Sequence, residues 1–140
     1  AGPLEAELHA DAASANAPVT FPGWVTAPFA AFHGNDILVL PSSWEGLPYL
    51  LQEALDHGVP IIAAANSGNR AALADGAFGA LFPFGDAPAL AVAIDQALTD
   101  LDALKAKAEK GRAALKARYA AAPFWAAFKR ELDAIGKANV

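Results

Sequence analysis

Apolar positions along this chain change their period several times, and each change predicts an element. Leu4, Leu8 and Ala12 recur at helical spacing, with Glu5 and Glu7 in the first turn where a helix dipole favours acids. Residues 3–15 therefore read as a helix, broken at 16–18. "VTF" at 19–21 is a short strand candidate ended by Pro22 and Gly23, and 24–33 reads as a short helix closed by Gly34 and Asn35. "DILVL" at 36–40 and "VPIIAAA" at 59–65 are unbroken apolar runs, the pattern of strands buried on both faces. Between them, 48–57 is helical and stops at Gly58. Residues 70–74 form a short helix before Asp75 and Gly76, "GALF" at 79–82 is a fourth strand, and 87–98, 101–119 and 123–138 are helices. Strands that alternate with helices predict an α/β fold, a parallel sheet covered on both faces.

Composition narrows the function classes. A length of 140 residues fits a single domain, 1–140, and can bury a core. Hydrophobic content of 55% against 18% charged residues excludes disorder, although Ala supplies much of the apolar count. The formal net charge is −5 and no basic stripe is visible, so no nucleic-acid partner is expected. The absence of Cys excludes a disulfide framework and a thiolate metal site. No apolar run approaches membrane-span length, and the N-terminus carries no signal-peptide pattern. A chain that starts at Ala1 and has no Met is expected to be a processed product or a piece of something longer.

The candidate chemistry lies between the two apolar runs. Glu45 and Glu53 are separated by seven residues, one in a turn containing Gly and Pro and the other inside a helix. In an open parallel sheet, ligands bind at the carboxyl ends of strands, which is where residues 41–47 must lie. Pro48 suits the start of a helix, and the N–H groups of Gly46, Leu47 and the first helical turn offer a site for an anion such as a phosphate. Gly46 lets a ligand approach the backbone. Leu47, Leu50, Leu51, Ala54 and Leu55 share the expected core face; Tyr49, Gln52, Glu53, Asp56 and His57 share the other. A carboxylate accepts two hydroxyls at once, which suits the vicinal diols of a ribose or a hexose. An anion site flanked by two such carboxylates fits a nucleotide diphosphate sugar, and both should line one depression. Spacing alone also fits a plainer reading, in which Glu45 favours the helix dipole and Glu53 sits on a solvated face.

The stretch "DILVLPSSWEGLPYLLQEALDHGVPIIA" resembles the signature of retaining GT-B glycosyltransferases of family 4, also called group 1. That family carries PS, then E-G-[FL]-[GP], then the second Glu of an E-x7-E motif, then a G-x-P-[VI]-[VI]-A strand. The matching residues are Pro41-Ser42, Glu45-Gly46-Leu47-Pro48, Glu53, and Gly58-Val59-Pro60-Ile61-Ile62-Ala63. "AGPLEAEL" is similar to the family's G-x-G-P segment, "VTFPGWV" to its V-x-F-x-G-x-V strand and loop, and "NSGNRAALADGAFGALFPFGDAPALAVAIDQAL" to its double-glycine segment and following helix. The resemblance implies the donor-binding C-terminal half of such an enzyme, a Rossmann-like domain. It implies that Glu45, the candidate catalytic residue, contacts hydroxyls of the donor sugar and that Glu53 holds the nucleotide ribose. Gly46 and Leu47 would border the diphosphate, and Gly2, Gly23 and Gly68 would lie near the donor. No cofactor or metal is implied beyond the sugar nucleotide itself. The double-glycine turn reads Ser67-Gly68 here, and Ala71 replaces the family's following Glu, which leaves that acid's role unfilled.

The resemblance also implies absences. The family's Arg and Lys that neutralise the diphosphate, its first two donor-domain strands and its acceptor-binding N-terminal domain all lie upstream of Ala1. The expectation is a partial domain, inactive alone, that closes its sheet edge by pairing with another copy or by re-pairing its own strands. The implied setting is cytoplasmic, with peripheral membrane contact. The competing reading is a non-catalytic interaction or folding module whose sugar-nucleotide site is vestigial.

Other residues have plain readings. Asp100-Leu101-Asp102 looks like a D-x-D metal motif but follows Thr99 at a helix start, where the T-x-x-D arrangement reads as a Thr99 N-cap with the acid Asp102 in the first turn. His9, His33 and His57 have no metal-ligand spacing. Ser42 lacks the G-x-S-x-G of a nucleophile elbow. Phe124, Trp125 and Phe128 form a seam on the last helix. Lys105, Lys107, Lys110, Arg112, Lys116 and Arg118 mark a basic helix, read as a solvated face or, more sharply, as a surface for anionic membranes.

Overall fold

A computed structural model describes residues 2–138. Two compact units are present, one ending at Ala31 and the other beginning at Phe32. In the first, α1 (Glu5–Ser14) carries its acids in the first turn and buries no side chain. The strand expected at 19–21 is not formed. A strand needs a ladder partner, and this segment has none; Phe21 instead stacks on His9, with ring centroids 3.9 Å apart. The helix expected at 24–33 shrinks to a 3-10 turn, Pro28–Ala31. Pro28 lacks an N–H and disfavours helical geometry at the residue before it, so the helix cannot run through.

The second unit is an α/β, Rossmann-like layer structure. Its sheet has three strands in the order β1 (Leu38–Leu40), β2 (Ile61–Ala64), β3 (Ala80–Phe82), all parallel. Leu38 pairs with Ile61, and Ile62 pairs with Ala80. β2 is central and every residue in it is buried, which is why its sequence is unbroken apolar. Among the described residues no strand pairs with β1 on the side away from β2, so the expected re-pairing is absent.

Helices cover both faces. Side chains alternate along β2, so Ile62 and Ala64 meet Phe82, Ala97 of α4 (Ala87–Thr99) and Leu104 of α5 (Leu101–Arg118). Ile61 and Ala63 point the other way, and α2 (Tyr49–Asp56) and α3 (Ser67–Ala72) supply the buried Leu51, Ala54, Leu55 and Asn69. A second 3-10 turn, Ala74–Gly76, leads into β3. Two glycines lie where α5 meets α2, and the one at Gly111 sets how closely the two helices approach. Gly58 ends α2 at φ +71, and a Cβ there would sit 2.6 Å from Glu109 Oε1; a Cβ on Gly111 would sit 2.7 Å from Leu55 Cδ2.

Several local expectations are refined. Leu47 is exposed, because Pro48 is the N-cap and Leu47 precedes the helix instead of lying on its core face. The cap of α5 is Asp100 rather than Thr99, whose hydroxyl donates to the Asp95 carbonyl. On α5, Lys107 reaches the Gly79 carbonyl at 3.5 Å and Arg112 pairs with Glu109 at 3.5 Å, so part of the basic set is engaged locally. The last helix, α6 (Ala121–Ala138), exposes Trp125, Phe128, Leu132 and Ile135, and the Trp125 ring stands edge-on to Phe128 at 5.8 Å; the Phe124 side chain lies outside the described residues. Among the described residues no helix is long and apolar enough to cross a membrane.

Candidate functional site

The loop after β1 is short and its path is fixed by its neighbours. It leaves the carboxyl end of β1 at Leu40 and enters α2 at Pro48. Pro48 has neither an N–H nor a capping oxygen, and no side chain caps α2. Leu51 N–H and Gln52 N–H both donate to the Pro48 carbonyl, at 3.0 and 3.3 Å. Among the described residues the N–H groups of Gly46, Leu47, Tyr49 and Leu50 have no partner. The starts of α3, α4 and α5 are capped by side chains. Asn66 accepts from Asn69 N–H on α3 at 2.9 Å, Asp86 from Ala89 N–H on α4 at 2.8 Å, and Asp100 from Ala103 N–H on α5 at 3.0 Å.

Glu45 is half-buried in this loop, and its carboxylate has no hydrogen bond or ion pair among the described residues. Glu53 is exposed and also unpaired there; it lies four residues into α2, about 6 Å along the axis at 1.5 Å per residue. It lines a depression of about 490 Å³ with Tyr49, Gln52, Asp56, Lys116 and Tyr119. A second depression of about 380 Å³ takes in Gly46, Leu47, Gln52, Gly68, Ala71 and Arg118. Gln52, Leu115 and Tyr119 border both. Glu45 lines neither of them, so the expected single depression holding both carboxylates is not found in either. The cause is local: the Glu45 backbone lies against Gly68 of α3, whereas Glu53 faces the C-terminal end of α5.

Gly2 and Gly23 belong to the first unit. Gly2 borders a small depression with Leu4, Leu8 and Phe21, and Gly23 turns the chain at φ +68 in open space. Residues the sequence reading passed over are Asn66 and Asn69. Asn66 Nδ2 donates to the Ser42 carbonyl at 3.0 Å, and Asn69 Nδ2 donates to the Ala64 carbonyl at 2.9 Å. The only sequence signal for them is an Asn three residues before another at a helix start, which predicts the cap and nothing more. His9, His33 and His57 stay apart in role: His9 stacks on Phe21, the His33 N–H donates to Asp36 at 2.6 Å, and His57 ends α2. Among the described residues no group of three or more His, Asp or Glu is placed to hold a metal ion.

Known proteins resemble this chain in sequence and fold. The family model described as "Glycosyl transferases group 1" matches residues 1–114. The lipopolysaccharide core biosynthesis glycosyltransferase LpsE of Rhizobium meliloti (strain 1021) is 32% identical over 103 residues, covering 72% of this chain and 30% of that protein. Sucrose-phosphate synthase (tll1590) from Thermosynechococcus elongatus superposes with a TM-score of 0.74 at 27% identity, over 93% of this chain and 34% of that one. Anabaena Alr3699/HepE in complex with UDP superposes at 0.78 with 22% identity, over 92% of this chain and 36% of that one, a likeness of fold. The chain thus spans about a third of the length of these relatives. With its β1 loop, its E-x7-E pair and its parallel sheet in place, the chain belongs to the glycosyl transferases group 1 family, as a domain of GT-B type.

Proposed function

We propose that this chain is the donor-binding, C-terminal half of a GT-B glycosyltransferase and that both compact units belong to that one domain. It binds a nucleotide diphosphate sugar, for transfer of the glycosyl unit with retained anomeric configuration. The observation that carries the reading is the uncapped start of α2, directly after the Glu45-Gly46-Leu47 loop at the carboxyl end of β1. Four N–H groups without partners there suit a diphosphate, and they stabilise it most as it becomes the leaving group. Glu53 takes the ribose diol and Glu45 takes sugar hydroxyls near the reacting carbon. Gly68 lies along the donor as a backbone position.

The rest of a longer parent chain supplies the acceptor-binding domain and the cations that neutralise the diphosphate, so this segment alone has little activity. The parent is cytoplasmic and touches the membrane peripherally, and the isolated segment self-associates through the edge of β1 that faces away from β2. Isothermal titration with UDP-glucose and GDP-mannose tests the binding claim. Saturable binding of one, weakened by Glu53→Ala, supports it. No binding by either, in a chain shown to be folded, favours a module with a vestigial site.

A further inference from the structure

We infer that Asn66 and Gly68 are positioning residues for Glu45: the start of α3 sets the height and direction of the loop that carries the carboxylate. The inference rests on the donor-site reading above and deepens it.

Gly68 is the second residue of α3 and is buried. Its backbone is helical and carries no positive φ, so nothing in its own conformation calls for glycine, which is a poor helix former. The neighbour does call for it. A Cβ at Gly68 would run into the Glu45 carbonyl oxygen, and would lie 2.7 Å from the Glu45 carbonyl carbon and 3.1 Å from its Cβ. The first two are backbone atoms, which cannot swing aside as a side-chain tip can. Gly68 therefore fixes how low the loop sits on α3.

Asn66 fixes the other end of the loop. Its Oδ1 accepts from Asn69 N–H, capping α3, while its Nδ2 donates to the Ser42 carbonyl. One amide thus ties the helix start to the loop start. Asn69, fully buried, donates to the Ala64 carbonyl and so anchors α3 to the end of β2. The loop after β1 is in this way held against β2 through α3. The Glu45 carboxylate has no partner of its own among the described residues, so its direction follows from its backbone. Paired hydroxyls demand that direction, because hydrogen bonds weaken steeply with misalignment.

Asn66→Asp separates the two jobs of the side chain. It keeps a capping oxygen, but sets an oxygen against the Ser42 carbonyl where an N–H stood; Asn66→Ser is read the same way if the first variant does not fold. Dissociation constants for UDP and UDP-glucose, and for GDP and GDP-mannose, are measured in the unsubstituted chain, Asn66→Asp, Glu45→Ala and the double variant. The quantity read is the gain in affinity that the sugar adds to the nucleotide. In either single variant that gain falls about tenfold while the nucleotide alone changes by less than about twofold. The double variant is no worse than Glu45→Ala, because both changes remove one interaction. Losses that multiply, a gain left intact in Asn66→Asp, or equal weakening of nucleotide and sugar nucleotide each overturn the inference. A ligand-free readout separates its failure from that of the donor-site reading. Amide exchange at residues 44–47 speeds up in Asn66→Asp while α4 and α5 keep their protection. Unchanged exchange overturns the clamp whatever binds, whereas faster exchange in a protein that binds no sugar nucleotide keeps the clamp and removes its proposed use.

Discussion

The starts of α2 and α5 look alike in sequence, each an acid shortly before an apolar helical period, yet they use the acid in opposite ways. Asp100 is the N-cap of α5 and accepts from Ala103 N–H at 3.0 Å, so acid and helix start satisfy each other. Glu45 stands three residues ahead of Pro48, the N-cap of α2, and caps nothing. Pro48 offers no acceptor, so the acid and the helix's first N–H groups both remain without partners among the described residues. An acid that closes its own helix is part of the fold, whereas an acid moved upstream by Gly-Leu-Pro keeps its carboxylate without a partner among the described residues, as the proposed donor site requires. Under the proposed function, this difference separates the D-x-D at 100–102, which serves the fold, from the E-x7-E at 45–53, which serves the ligand.

Breaking the α2 side should have the largest effects. Gly68→Ala must push the Glu45 backbone away, so sugar-nucleotide affinity should fall by more than about tenfold, with about 1–3 kcal/mol lost in denaturant unfolding. Glu53→Ala should be next in size for binding. Loss of a charge-assisted pair of hydrogen bonds predicts about tenfold weaker binding of nucleotide and sugar nucleotide alike, read by calorimetry, with stability nearly unchanged because the side chain is exposed. The α5 side should show the converse. Asp100→Ala should cost about 1 kcal/mol of stability and leave binding unaltered, as an N-cap loss does. Equal binding losses at Asp100 and Glu53 would erase the distinction between the two helix starts.

The same distinction explains what the sequence could and could not disclose. The runs at 36–40, 59–65 and 79–82 were legible as parallel strands because β2 is covered on both faces and its neighbours follow the same apolar pattern. The faces of α2 were legible too: Leu51, Ala54 and Leu55 are buried, and Glu53 lies on the other side. The segments 19–21 and 24–33 misled because a strand depends on a partner and a helix on the absence of an internal proline, and an apolar run guarantees neither. Trp24, at 94% exposed, shows how little that run buries. The clamp on Glu45 was not legible at all. Its hydrogen bond joins residues 24 apart, and Gly68 is explained by a backbone atom from another element rather than by its own conformation.

The central claim is that the open start of α2 receives a diphosphate, and amide chemical shifts during a titration report on it most directly. The folded chain is titrated in turn with UDP, GDP, UDP-glucose and GDP-mannose. With at least one nucleotide, the largest shifts should fall on the N–H groups of Gly46, Leu47, Tyr49 and Leu50. The matching sugar nucleotide should then add shifts at residues 44–46, while Leu101 and Ala103 at the start of α5 stay still. Shifts centred on α5, or no saturable shift at Gly46 and Leu47 with any of the four ligands, would contradict the account.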